Sequence, residues 1–111
     1  VNAANALELL QNNWYTTATI TNGATRTHAL TIPRGIQQLR VLLYWHDPEG
    51  LPNAMKALVN DLDIKLNTPK GETLLPWVLS TAAHPDSLNK SAYRGIDRIN
   101  NVEQITLDQP E

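Results

Sequence analysis

The segment Leu58 to Leu66, LVNDLDIKL, alternates apolar and polar positions. Successive side chains of a strand point to opposite faces, so Leu62, Ile64 and Leu66 fall on one side and Asp61, Asp63 and Lys65 on the other. That pattern predicts a half-buried strand. Gln38 to His46, QLRVLLYWH, carries Leu39, Val41, Leu43 and Trp45 on one face and predicts a central strand with Trp45 packed in the core. Val102 to Asp108 predicts a last strand, and Glu72 to Leu79 a strand interrupted by Pro76, which a sheet tolerates only at an edge or bulge.

Earlier in the chain the period changes. Ala3, Ala6, Leu7 and Leu10 recur at helical spacing within Val1 to Gln11, so a short amphipathic helix ending near Asn12-Asn13 is expected, with no evident cap at its start. Trp14 to Asn22 is rich in Thr and β-branched residues, Asn22-Gly23 supplies a turn, and Ala24 to Ile32 alternates again. These features predict a hairpin. Asp47 to Lys56, with two prolines and a glycine, reads as a loop, Pro69-Lys70-Gly71 as a turn, and Ser80 to Ser91 as irregular. One short helix followed by short strands with turn signals between them predicts an all-β fold, an antiparallel β-sandwich of jelly-roll type.

Composition narrows the function classes. A length of 111 residues fits one domain with a core of its own. The longest apolar run, Val41 to Trp45, is far short of the ~20 residues that a spanning helix needs, so no membrane span is expected. Lys and Arg are scattered singly and the net charge is −2, which argues against a nucleic-acid partner. The absence of cysteine excludes disulfides, thiolate zinc sites and cysteine nucleophiles.

Two candidate chemistries remain. Asp61 and Asp63 would lie about 6.5–7 Å apart on one strand face. Two carboxylates cannot by themselves supply the six to eight oxygens that calcium takes. Glu103, Asn100 and Asn101, or Asp47 and Glu49 from the long loop, would complete such a shell. In the structural alternative, Asp61 and Asn60 cap loop amides while Asp63 pairs with Lys65 or Arg98. Trp14, Trp45 and Trp77 are the second candidate, a sugar-stacking platform, although Trp45 and Trp77 sit in apolar runs that favour core packing. His28, His46 and His84 with Ser80, Ser87 and Ser91 have the residue types of a triad, but no Gly-x-Ser-x-Gly frame holds a serine out.

Four motifs occur in a fixed order: Trp45-His46-Asp47-Pro48, Leu58-Val59-Asn60-Asp61-Leu62-Asp63, Pro69-Lys70-Gly71 and Asn100-Asn101-Val102-Glu103. Together they resemble the C-terminal β-sandwich that follows the catalytic domain in bacterial subtilisin-like serine proteases. The resemblance runs over about residues 1 to 108. Val1-Asn2-Ala3 followed by Ala6 is similar to the closing helix of those catalytic domains. The resemblance therefore implies that residues 1–13 end an upstream protease domain and residues 14–111 form the sandwich. It also implies a non-catalytic accessory domain of a secreted or cell-envelope endopeptidase. Its partners would be the protease domain of the same polypeptide and, through the parent enzyme, protein or peptide substrates. A bound calcium ion held by Asp61, Asp63, Glu103, Asn100 and Asp47 is the cofactor expected. The alternative reading is a carbohydrate-binding or adhesive β-sandwich. Two departures from the resemblance stand out. Leu75-Pro76-Trp77-Val78-Leu79 replaces a Gly-Asn pair, and the sequence ends at Glu111 before a final strand, so the closing strand is expected to be missing.

Overall fold

A computed structural model describes residues 2–110. The chain divides into two compact units, Val1–Thr31 and Ile32–Glu111.

In the first unit, helix α1 spans Ala3–Gln11. Its start does carry a cap, because the side-chain oxygen of Asn2 accepts the Asn5 N–H at 3.1 Å. At the other end, Trp14 N–H donates to the Leu9 carbonyl and Asn13 N–H to the Leu10 carbonyl, while Asn13 sits at φ 53. This pair of bonds is a Schellman motif with asparagine in the left-handed position that glycine more often fills. No residue of α1 is buried.

The hairpin expected over residues 14–32 does not form a ladder; no strand occurs in that stretch. The turn itself is present, with Ala24 N–H donating to the Thr21 carbonyl at 3.0 Å. Gly23 has φ 75 but Asn22 is not among the positive-φ residues, which is the type II pattern. The turns that match the twist of paired strands are the mirror-image types, and type II splays its flanks instead.

The second unit contains β1 (Gln38–Tyr44), β2 (Leu66–Asn67), β3 (Thr73–Leu74), β4 (Trp77–Val78), the single-turn α2 (Pro85–Leu88), β5 (Tyr93–Arg94) and β6 (Val102–Asp108). They pair into three two-stranded antiparallel sheets, β1–β6, β2–β3 and β4–β5, with no closed barrel among them. None of the described helices is long and apolar enough to cross a membrane.

The β1–β6 pair organises this unit. Leu39 faces Leu107, Val41 faces Ile105 and Leu43 faces Glu103 across the ladder. Directly opposed residues share a face, so these six side chains form one row. Ile105 is fully buried at its centre, and Leu58, Val78 and Pro76 are the other buried apolar residues among those described. On the opposite face Leu42, Tyr44 and Val102 are exposed, with Tyr44 directly across from Val102.

Sheet β2–β3 closes through the expected turn. Thr68 accepts from Gly71 N–H at 3.0 Å, and Gly71 adopts φ 86, where a side chain would be strained. Pro76 separates β3 from β4, as its missing N–H requires. Arg94 locks β5 to its surroundings: its guanidinium lies 3.8 Å from the Trp77 ring centre and donates to the carbonyls of Leu75 and Thr106. Trp77 Nε1 donates to Thr106 Oγ1 at 2.8 Å.

Trp45 is half-buried rather than part of a closed core. It follows the last residue of β1, and its indole N–H donates to the Asn60 carbonyl at 3.0 Å.

The buried row makes a direct prediction. Ile105→Ala should destabilise the second unit by about 2–5 kcal/mol, whereas Leu42→Ala on the open face should change stability by no more than about 0.5 kcal/mol. Urea denaturation of the two variants measures the difference. Equal losses would contradict this placement of the core.

Candidate functional site

Three of the four motif-bearing segments meet at the end of the β1–β6 ladder, where loops leave backbone N–H groups without a strand partner. Carboxylates answer those groups. Asp47 lies three residues beyond β1 and accepts from Val59 N–H at 2.7 Å, Asn60 N–H at 2.8 Å and Asn60 Nδ2 at 3.0 Å. Trp45 and Asn101 are joined twice, by Trp45 N–H to the Asn101 carbonyl and by Asn101 Nδ2 to the Trp45 carbonyl. Asp97 accepts from the N–H groups of Ile99 and Asn100 and from Asn100 Nδ2.

Glu103 is the unusual member. It stands in the apolar row opposite Leu43, 2% exposed, because β6 alternates and its neighbour two positions on is the buried Ile105. Its Oε2 accepts the Ile64 N–H at 2.8 Å, tying the Asp61–Leu66 segment to β6. Its Oε1 is buried with no hydrogen-bond partner. Burial pushes the Glu103 carboxyl up to about 7, against the pull of the Ile64 amide, and the charges of Asp63, Asp97 and Asp61 push in the same direction as burial. Asp47 and Asp97 go the other way. Desolvation works against their ionised forms, but the amides of Val59 and Asn60 hold Asp47 below its ordinary value, and Asn100 with the amides of Ile99 and Asn100 does so for Asp97.

The alternation expected for Asp61 to Leu66 is present in the burial of the segment, with Leu62, Ile64 and Leu66 half-buried and Asp61, Asp63 and Lys65 exposed, although only Leu66–Asn67 pairs as a strand. The five residues named as calcium ligands have separate occupations. Asp61 Oδ2 lies 3.0 Å from Lys56 Nζ and 3.2 Å from Arg98 Nη1. Asp47 is engaged by the loop amides, and the Asn100 side chain by Asp97. Asp63 takes part in no ion pair among the described residues, and Glu103 keeps one oxygen free. Among the described residues no three His, Asp or Glu side chains are grouped to hold an ion. The structural alternative is not seen as stated: Arg98 pairs with Asp61 rather than Asp63, and the loop amides of Val59 and Asn60 are capped by Asp47 rather than by Asp61 or Asn60.

Sequence reasoning missed Asp97. The signal was available, since an aspartate two and three residues ahead of a polar turn bonds the amides that follow it. His84 is the N-cap of α2, its Nδ1 accepting the Asp86 N–H at 3.3 Å. The Trp77 ring has one face covered by Arg94. No known protein family, curated protein or solved structure matches this chain.

The raised Glu103 carboxyl predicts a pH dependence with a definite sign. The folded state holds the proton more tightly than the unfolded chain, whose value is the ordinary 4.5. The stability from this group is then complete below 4.5 and is lost as pH rises through about 7. The loss is on the order of 3 kcal/mol. Urea midpoints should fall between mildly acidic and mildly alkaline buffer, and Glu103→Gln should flatten that slope. A wild-type midpoint that stays level across the range would contradict the assignment.

Proposed function

We propose that this chain is a non-catalytic C-terminal accessory domain of a secreted subtilisin-like serine endopeptidase, a β-sandwich that packs against and stabilises the protease domain. One observation carries the reading. Three of the four motifs that produced the resemblance grip one another although they are distant in sequence. Asp47 of the first holds Val59 and Asn60 of the second, Trp45 of the first bonds Asn60 and Asn101, and Glu103 of the last bonds Ile64 just beyond the second. A chance match of short strings would not be expected to produce such an interlock.

The open face of β1–β6 supports the packing role. Leu42 is 61% exposed, Tyr44 64% and Val102 41%, and the cross-strand pairing makes them neighbours. Contiguous apolar groups of this kind mark surfaces that another body covers. The carbohydrate-binding reading carries less weight, because the guanidinium of Arg94 covers one face of Trp77 and leaves at most the other for a sugar.

Calcium belongs to this proposal through the free Oε1 of Glu103 and the negative charges of Asp61, Asp63 and Asp97 around it. Asp63 and Glu103 would supply only part of the shell, with backbone carbonyls or water providing the remaining oxygens, and the charge of the ion would offset the negative potential at Glu103. Asp47 and Asn100 would keep their loop contacts.

Two measurements test the reading. The coding sequence upstream of Val1 should encode a catalytic domain with a Gly-Thr-Ser-x-Ala segment; an unrelated domain there would sink the proposal. Calcium at a hundredfold excess over its dissociation constant should stabilise the fold by about 2.7 kcal/mol, magnesium by less. Thermal melts with chelator and with each ion read this directly. Coincident curves would remove calcium from the account.

A further inference from the structure

We infer that Asn22 is a site of spontaneous self-modification, converting through a cyclic imide with Gly23 to aspartyl and isoaspartyl forms. The reacting partners are a side-chain amide and the backbone nitrogen that follows it. Asn22 is exposed, its amide makes no hydrogen bond among the described residues, and the segment around it belongs to no ladder. The one backbone bond of the turn runs from Ala24 N–H to the Thr21 carbonyl and spans the two reacting residues without engaging either.

Gly23 removes the usual obstacle. Any other residue would place a Cβ beside the attacking nitrogen, and around Gly23 nothing lies within 4 Å of where a Cβ would stand. With no Cβ on Gly23 and open space around it, the peptide plane between Asn22 and Gly23 has room to rotate, once the Thr21–Ala24 bond opens, until the nitrogen faces Cγ. No other asparagine of the chain precedes a glycine. Several are also held: Asn12 Nδ2 donates to the Glu8 carbonyl, Asn60 Nδ2 to Asp47, Asn100 Nδ2 to Asp97 and Asn101 Nδ2 to the Trp45 carbonyl.

The chemistry balances with water as the only co-reactant. The Gly23 nitrogen loses its proton and attacks Asn22 Cγ, the new N–C bond closes the imide, and the side-chain nitrogen leaves as ammonia. Water then opens either carbonyl. Opening at Cγ restores an ordinary main chain bearing a carboxylate, whereas opening at the backbone carbonyl routes the main chain through Cβ. Either product adds a negative charge to a chain whose net charge is −2. The isoaspartyl form also lengthens the turn by one methylene.

The test uses the whole chain, aged at neutral and alkaline pH and then digested with trypsin. The first tryptic fragment, Val1 to Arg26, contains Asn12 and Asn13 as internal controls. Fragment-ion masses should place the amide-to-acid gain at Asn22 and not at the controls, with faster conversion at alkaline pH. Protein isoaspartyl methyltransferase should label the aged chain and leave aged Asn22→Gln unlabelled. Gly23→Ala should slow the conversion. The proposal is overturned if Asn22 keeps its amide while the free peptide TITNGATR converts under the same conditions, or if conversion spreads evenly over the asparagines of the fragment.

Discussion

Loop amides with no strand to accept them are the constraint on which the second unit depends. Val59, Asn60, Ile64, Ile99 and Asn100 each have a backbone N–H that a side-chain carboxylate accepts, from Asp47, Glu103 or Asp97. An unpaired buried N–H is costly, which bears on the partly buried Ile64 amide; the other four lie in exposed residues, where the carboxylates fix the course of the loops. Two of the three carboxylates bring together segments remote in sequence, and the third shapes the turn that delivers Asn101 to Trp45.

Glu103 shows the tension in this arrangement. Its place in β6 is one where the alternation calls for an apolar side chain, and its burial beside Ile105 disfavours the charged form. The same position is the one from which a carboxyl can reach the Ile64 amide. A protonated Glu103 keeps that bond through Oε2 without a buried charge, and a cation beside Oε1 would allow the charge to remain. Proton and metal would thus compete for one group. The acidic neighbours Asp61, Asp63 and Asp97 favour whichever is present, because each adds negative potential at the site.

Much of this was legible in the alternation of the chain. β1, β6, the Pro69-Lys70-Gly71 turn and the break at Pro76 follow from side-chain period and from the backbone limits of proline and glycine. The two faces of Asp61 to Leu66 were readable for the same reason. The pairing of residues 14–32 was not, because alternation specifies a face but not a partner, and the conformation of the Asn22-Gly23 turn decides whether the flanks converge. The roles of Asp47 and Glu103 were hidden as well. Both were legible as oxygen donors, but which hydrogen each accepts depends on contacts between segments 12 to 39 residues apart.

Hydrogen exchange at single amides tests the central claim most directly. The amides of Val59, Asn60 and Ile64 should exchange more slowly than those of the loop residues Glu49 to Met55. Asp47→Ala should release Val59 and Asn60 while leaving Ile64 protected, and Glu103→Ala should release Ile64. Val59, Asn60 and Ile64 exchanging at the pace of the open loop in the wild-type chain would show that these carboxylates do not hold the fold together.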